Sequence, residues 1–166
     1  MKISDTLIPE FDHEAATTRK VLERVAEDQF GWTPHEKSMT LGRLACHVAE
    51  LPYFATAVSK SNAMDFAKGD YKELKAANRQ ELLDQYDAVV KDARAAIAGM
   101  SDQDMMTSWS LLNDGKALIS LPKAAVIRSF MMNHWIHHRG QLSVYLRLTG
   151  AAVPSIYGPS ADEGSM

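Results

Sequence analysis

Cysteine is nearly absent from this chain. The one thiol, Cys46, rules out an internal disulfide and any CxxC metal or redox site, which suits a reducing compartment. Long apolar runs are missing too. No stretch approaches the roughly 18 consecutive apolar residues of a membrane span, so no membrane partner is expected. The opening Met1-Lys2-Ile3-Ser4-Asp5 leads into charged residues rather than the apolar core of a signal peptide, and a cytoplasmic location is expected. Clustered positive charge is the third absence. Eighteen Lys and Arg face 21 Asp and Glu, the net charge is −3, and the basic residues are scattered. The electrostatic footprint of phosphate-backbone binding is therefore lacking, and no nucleic acid is expected as partner. Repeats, low-complexity blocks and interdomain linkers are absent as well. The 166 residues should form a single domain, 1–166, long enough to bury a core without staples.

What is present is helical periodicity. From about Ile8 to Ala26, the residues Phe11, Ala15, Thr18, Val21, Leu22 and Val25 recur at three- and four-residue steps, and Pro9 suits a first turn. Gly31 and Pro34 break the chain. Ser38 or Thr40 can cap a second helix carrying Leu41, Leu44, Val48, Leu51 and Phe54, which Pro52 should kink or end. The stretch 61–79 is polar and ambiguous. A third helix is predicted over Gln80–Ala98, with Gly99 as its stop. Trp109, Leu111 and Leu112, then Asn113-Asp114-Gly115, then Ala117, Leu118 and Ile119 suggest a short hairpin or tight turn. A last helix should run from just after Pro122 to Thr149, with Gly150 closing it. The tail from about 155, rich in Pro and Gly, is expected to be irregular and mobile, with Asp162 and Glu163 solvated. Four helices, one long connection and little strand signal predict an all-α four-helix bundle with a loop-rich middle.

Three of the six histidines call for explanation. His134 and His138 are four residues apart, so their rings share one helix face. His47 sits among the apolar residues of the second helix. Three buried imidazoles need several hydrogen-bond partners, and leaving such groups unpaired costs roughly 1–3 kcal/mol each. One shared divalent transition metal satisfies all three and leaves a coordination position open, as in catalytic sites. Trp135 stands where a zincin carries its Glu, so that mechanism is excluded. His137 points about 100° away from His138. His35 is expected to be exposed, and His13 has no assigned role. Cys46 reads as a small buried hydrophobe, and the nine methionines as core filler. Glu50, three residues after His47, either orients that ligand from behind or is solvated; the solvated reading is the expectation. Trp109 and Tyr157 could line a substrate mouth, though packing is the simpler role.

These motifs resemble the DinB/YfiT-like superfamily of metal-binding four-helix bundles. The likeness rests on Trp32-x-Pro34 leading into Ser38-Met39-Thr40-Leu41, on Leu44-x-x-His47, on His134-x-x-x-His138-Arg139-Gly140-Gln141, and on the closing Thr149-Gly150 and Pro154-x-Ile156-Tyr157-Gly158-Pro159-Ser160. It implies a nickel or zinc ion on His47, His134 and His138. It also implies a small-molecule substrate, with a low-molecular-weight thiol as co-substrate in a thiol S-transferase-like reaction. A metal-dependent hydrolase and a non-catalytic metal-binding stress protein are the alternatives, and a homodimer is the expected assembly. No residue is identified as a general base.

Overall fold

A computed structural model describes residues 1–164. The first helix, α1, spans Ile3–Leu22 and buries Leu7, Phe11, Ala15, Thr18, Val21 and Leu22 along one face. It begins five residues earlier than its apolar pattern indicates. Asp5 accepts from the Lys2 N–H at 2.8 Å and Asp102 accepts from the Ile3 N–H at 2.8 Å, so two orphan donors are satisfied outside the periodic stretch. Pro9 therefore lies inside the helix, where it forfeits one backbone bond, and not in the first turn.

Thr40 caps α2, Leu41–Glu50, by accepting from the Arg43 N–H at 3.2 Å. Pro52 ends that ladder, and the chain restarts as α3, Tyr53–Lys60. The long α4, Arg79–Gly99, is capped by Asn78, which accepts from the Glu81 N–H at 2.9 Å. Gly99 is its last helical residue and has no left-handed φ; the helix simply runs into extended Met100. A short α5, Asp102–Met106, follows.

The middle of the chain is more ordered than its polarity suggests. Strands β1, Ala63–Asp65, β2, Ser108–Asn113, and β3, Lys116–Pro122, form one sheet in that order. β2 and β3 are antiparallel around Asp114 and Gly115, with φ of 51° and 73°, both left-handed as a type I′ turn requires. β1 pairs parallel to β2, with Met64 opposite Leu111. The Asp65 carboxylate accepts from the N–H groups of Ala67, Asp114 and Gly115, each at 3.0 Å, and so ties β1 to the hairpin turn. Trp109 and Leu111 point from β2 into the core.

The last helical run is continuous from 123 to 148 but not uniform. α6, Lys123–Ala125, passes into a π-helical stretch, Val126–Met132, and then into α7, Asn133–Leu148. Gly150, at φ 78°, closes it. α1 and α3 pack on α4, while α2 packs on both α4 and α7. Trp135 stands at the centre, its ring 5.5 Å from Phe11 and 6.3 Å from Tyr86. The result is a mainly helical bundle with a small sheet beside it. No helix among the described residues is long and apolar enough to cross a membrane.

The tail is tied down. Arg147 pairs with Asp162 at 2.5 Å, and Arg24 pairs with Glu163. Asp162 also accepts from the Val153 N–H at 2.9 Å. Both carboxylates thus serve as anchors rather than as free surface charge, because arginines of the bundle and backbone donors of the tail converge on them.

Candidate metal centre

α2 and α7 lie side by side and present His47, His134 and His138 to one point. The rings of His47 and His134 are 5.3 Å apart, those of His47 and His138 4.5 Å, and those of His134 and His138 4.6 Å. The Nε2 atoms of His134 and His138 approach to 2.8 Å. One ligand atom from each of the three residues lies within 4.8 Å of the others. That separation is within reach of a single ion bonding each nitrogen at about 2.0–2.1 Å.

Two of the rings are oriented from behind. His47 Nδ1 donates to Glu50 Oε1 at 2.7 Å, and His138 Nδ1 donates to Gln141 Oε1 at 2.7 Å. An ionised carboxylate and an amide oxygen only accept, so both rings carry a proton on Nδ1 and leave Nε2 as the nitrogen available to a ligand on the inner side. His134 Nδ1 is buried with no partner among the described residues. Three imidazoles with lone pairs converging on one point repel unless a cation or a shared proton stands between them. A borderline-soft divalent transition ion fits this donor set.

The electrostatics favour the neutral form of the two α7 rings. Burial, with the neighbouring histidines adding to it, lowers the His134 pKa to about 4. Burial also lowers that of His138, against the opposing bond to Gln141. Neutral imidazole is the form that binds a metal.

Glu50 is the residue that sequence reasoning placed wrongly. It is 3% exposed rather than solvated. Arg43, two turns earlier on α2, donates to Oε1 at 2.6 Å, and the Leu74 N–H donates to Oε2 at 2.5 Å. Burial on its own raises a carboxyl pKa, but the bonds from His47, Arg43 and Leu74 overcome it and hold Glu50 down at about 2. The three-residue step from His47 was the only sequence signal for this contact.

The other candidates fall away from the site. His137 is exposed, His35 is exposed with its Nδ1 accepting from the Lys37 N–H at 3.1 Å, and His13 is exposed and stacks over Tyr157 at 6.4 Å. Cys46 is buried on a different face of α2 and outside the histidine cluster, and burial raises its pKa, so it is a packed thiol. Trp109 is wholly buried core. The Tyr157 hydroxyl donates to Glu14 Oε1 at 2.7 Å and accepts from Arg139 Nη2 at 2.7 Å, joining the buried ion pair of Arg139 and Glu14 at 2.6 Å. Arg139, next to a histidine of the triad, therefore faces α1 and not the site.

The chain is 28% identical to the Bacillus subtilis protein YrdA over 163 residues, covering 96% of this chain and 90% of that protein. The crystal structure of a DinB-like protein from Bacillus cereus superposes with a TM-score of 0.68 at 23% identity, covering 90% of this chain and 94% of the other. A mycothiol-dependent maleylpyruvate isomerase superposes with a TM-score of 0.54 at 12% identity, covering 91% of this chain and 62% of that one. The model of the DinB family matches residues 1–165, and the chain belongs to that family.

Proposed function

We propose that this protein is a metal-dependent enzyme, thiol S-transferase-like, in which His47, His134 and His138 hold one divalent ion, nickel or zinc. Bound there, such an ion is a Lewis acid that lowers the pKa of a thiol or a water molecule. The chain's own residues do the rest. Glu50 and Gln141 fix the tautomers of His47 and His138, so that both leave Nε2 available on the inner side. Trp135 anchors α7 in the core against Phe11 and Tyr86, and the Phe130 ring lies 5.7 Å from that of His134, an apolar neighbour one turn away. The observation that carries the reading is the convergence of three imidazoles with two of them held from behind. A mycothiol-dependent isomerase among the proteins of this fold favours a thiol over water as the activated group. A hydrolase is the alternative if water takes that place.

Elemental analysis of tag-free protein is the first test. Wild type and His137→Ala should carry about one ion per chain, while His47→Ala, His134→Ala and His138→Ala should each lose most of it. Full occupancy in His47→Ala would remove the assignment. Cobalt-loaded protein then separates the chemistries. Glutathione or 2-mercaptoethanol should produce a thiolate-to-metal charge-transfer band in the near ultraviolet. No band, together with cleavage of simple esters, would make the protein a hydrolase.

A further inference from the structure

Two clefts flank the three histidines, and their charges differ. One of about 390 Å³ lies on the Glu50 side, where Glu50 and Asp70 outnumber Lys72. The other, of about 450 Å³, lies between the 33–39 loop and α7 and reaches His138. Its only lining charge is Lys37; Ser38, Met39, Leu44, Gln141, Val144 and Tyr145 are among the other walls, and no carboxylate lines it. The lining therefore carries one positive charge, with Glu36 adjoining Lys37 outside the cleft. Among the described residues no carboxylate pairs with Lys37, and only its backbone N–H is engaged, by His35.

The wall that carries Lys37 is preformed. The Ser38 N–H and the Thr33 hydroxyl both donate to the His35 carbonyl, at 2.9 Å and 2.7 Å. The Leu41 N–H donates to the Trp32 carbonyl at 2.8 Å, and the Tyr145 hydroxyl donates to the Met39 carbonyl at 3.3 Å. Trp32 meets Tyr145 edge-on at 5.6 Å. The loop is thereby bonded to α7, and little ordering remains to be done on binding. Beside the ammonium, Met39 is 39% and Val144 56% exposed, an apolar surface with nothing packed on it.

We propose that this cleft binds a small amphiphilic carboxylate. Its anion pairs with Lys37 and Ser38, its alkyl portion lies on Met39 and Val144, and its far end is carried toward His138. As the recognition subsite of an enzyme the cleft rests on the function proposed above, whereas binding of the anion needs no metal.

The test uses metal-free, ¹⁵N-labelled full-length protein, titrated with hexanoate and with hexanamide and followed by NMR. Hexanoate should move the amides of Lys37, Ser38, Met39 and Val144 and bind about three- to fivefold more tightly than hexanamide, the scale of an exposed ion pair. Lys37→Gln should erase that preference; Lys37→Arg, which keeps the charge, and Lys60→Gln, which lies elsewhere, should both retain it. Shifts confined to other regions, equal affinities, or a preference that survives Lys37→Gln would overturn the proposal. Metal content is read separately. A loaded triad without hexanoate binding overturns the cleft alone, and hexanoate binding beside an empty triad supports the cleft while removing the enzyme reading.

Discussion

A carboxylate that is 3% exposed is tolerated only if its lone pairs are filled, and Glu50 receives three donors, two from its own helix and one from the loop at Leu74. Partners of this kind behind a ligating histidine are worth roughly 10–100-fold in metal affinity. Glu50→Gln keeps an oxygen for the His47 Nδ1–H but removes the negative charge. Metal dissociation should therefore rise by about one to two orders of magnitude. Competition with a chromophoric chelator measures this, and an unchanged affinity would reduce Glu50 to a tether for Arg43 and the loop. The histidines themselves were legible from sequence, because a four-residue step on a helix fixes a shared face and His47 lies among apolar neighbours. Glu50 was not. Whether its side of α2 is covered depends on Leu74, 24 residues further along, arriving with a free N–H. Nothing local to α2 records that arrival.

At the level of elements, legibility follows how local the cause is. The hairpin was readable because Asp114-Gly115 supplies both left-handed positions within the turn itself. β1 was not, since its three residues are held by pairing with a strand more than 40 residues away and by the carboxylate of Asp65 reaching that strand's turn. The π-helical stretch was hidden for another reason. Val126 and Ile127 are buried together with Met131 and Met132, five residues on, and a run apolar on several faces does not reveal a change of period from four to five. The tail is irregular, as its Pro and Gly indicate, yet its described residues are bonded to the bundle; the end expected to be mobile reaches residues 165–166, which lie outside those described. A further anchor is Tyr157, whose hydroxyl bridges buried Glu14 and Arg139. Tyr157→Phe leaves both charged groups one partner short, a cost of about 1–3 kcal/mol. At about 2–4 °C per kcal/mol for a chain of this size, the Tm should fall measurably. Amide exchange over residues 153–163 should quicken more than in α4. Uniform quickening would mean the tyrosine supports the whole bundle and not the tail.

For the molecule as a whole, the question is whether fold and site are separable. The core around Phe11, Tyr86 and Trp135 is assembled without the three histidines, so metal-free protein should keep its helical circular dichroism and lose only some degrees of Tm. Loss of the far-ultraviolet signal on chelation would instead make the ion structural. Acid then acts on the metal-free protein in two windows. His134 titrates near 4 when folded and near 6.5 when unfolded, so between those values the unfolded chain binds more protons and stability falls as pH falls. Glu50 titrates near 2 when folded against 4.5 in an open chain, which extends the loss to lower pH as its ion pair with Arg43 is protonated away. Both shifts have the same sign, and the bundle should therefore weaken continuously from about pH 6.5 downward. Urea midpoints of metal-free protein at pH 7.5, 6.0, 5.0, 4.0 and 3.0 measure this. His134→Leu, which cannot protonate at that position, should flatten the upper part of the curve, and Glu50→Gln the lower part. A wild-type midpoint that stays level from pH 7.5 to 5.0 would mean the imidazoles are solvated well enough to charge in place. The neutral, inward-facing triad would then not be the resting state of the metal-free protein.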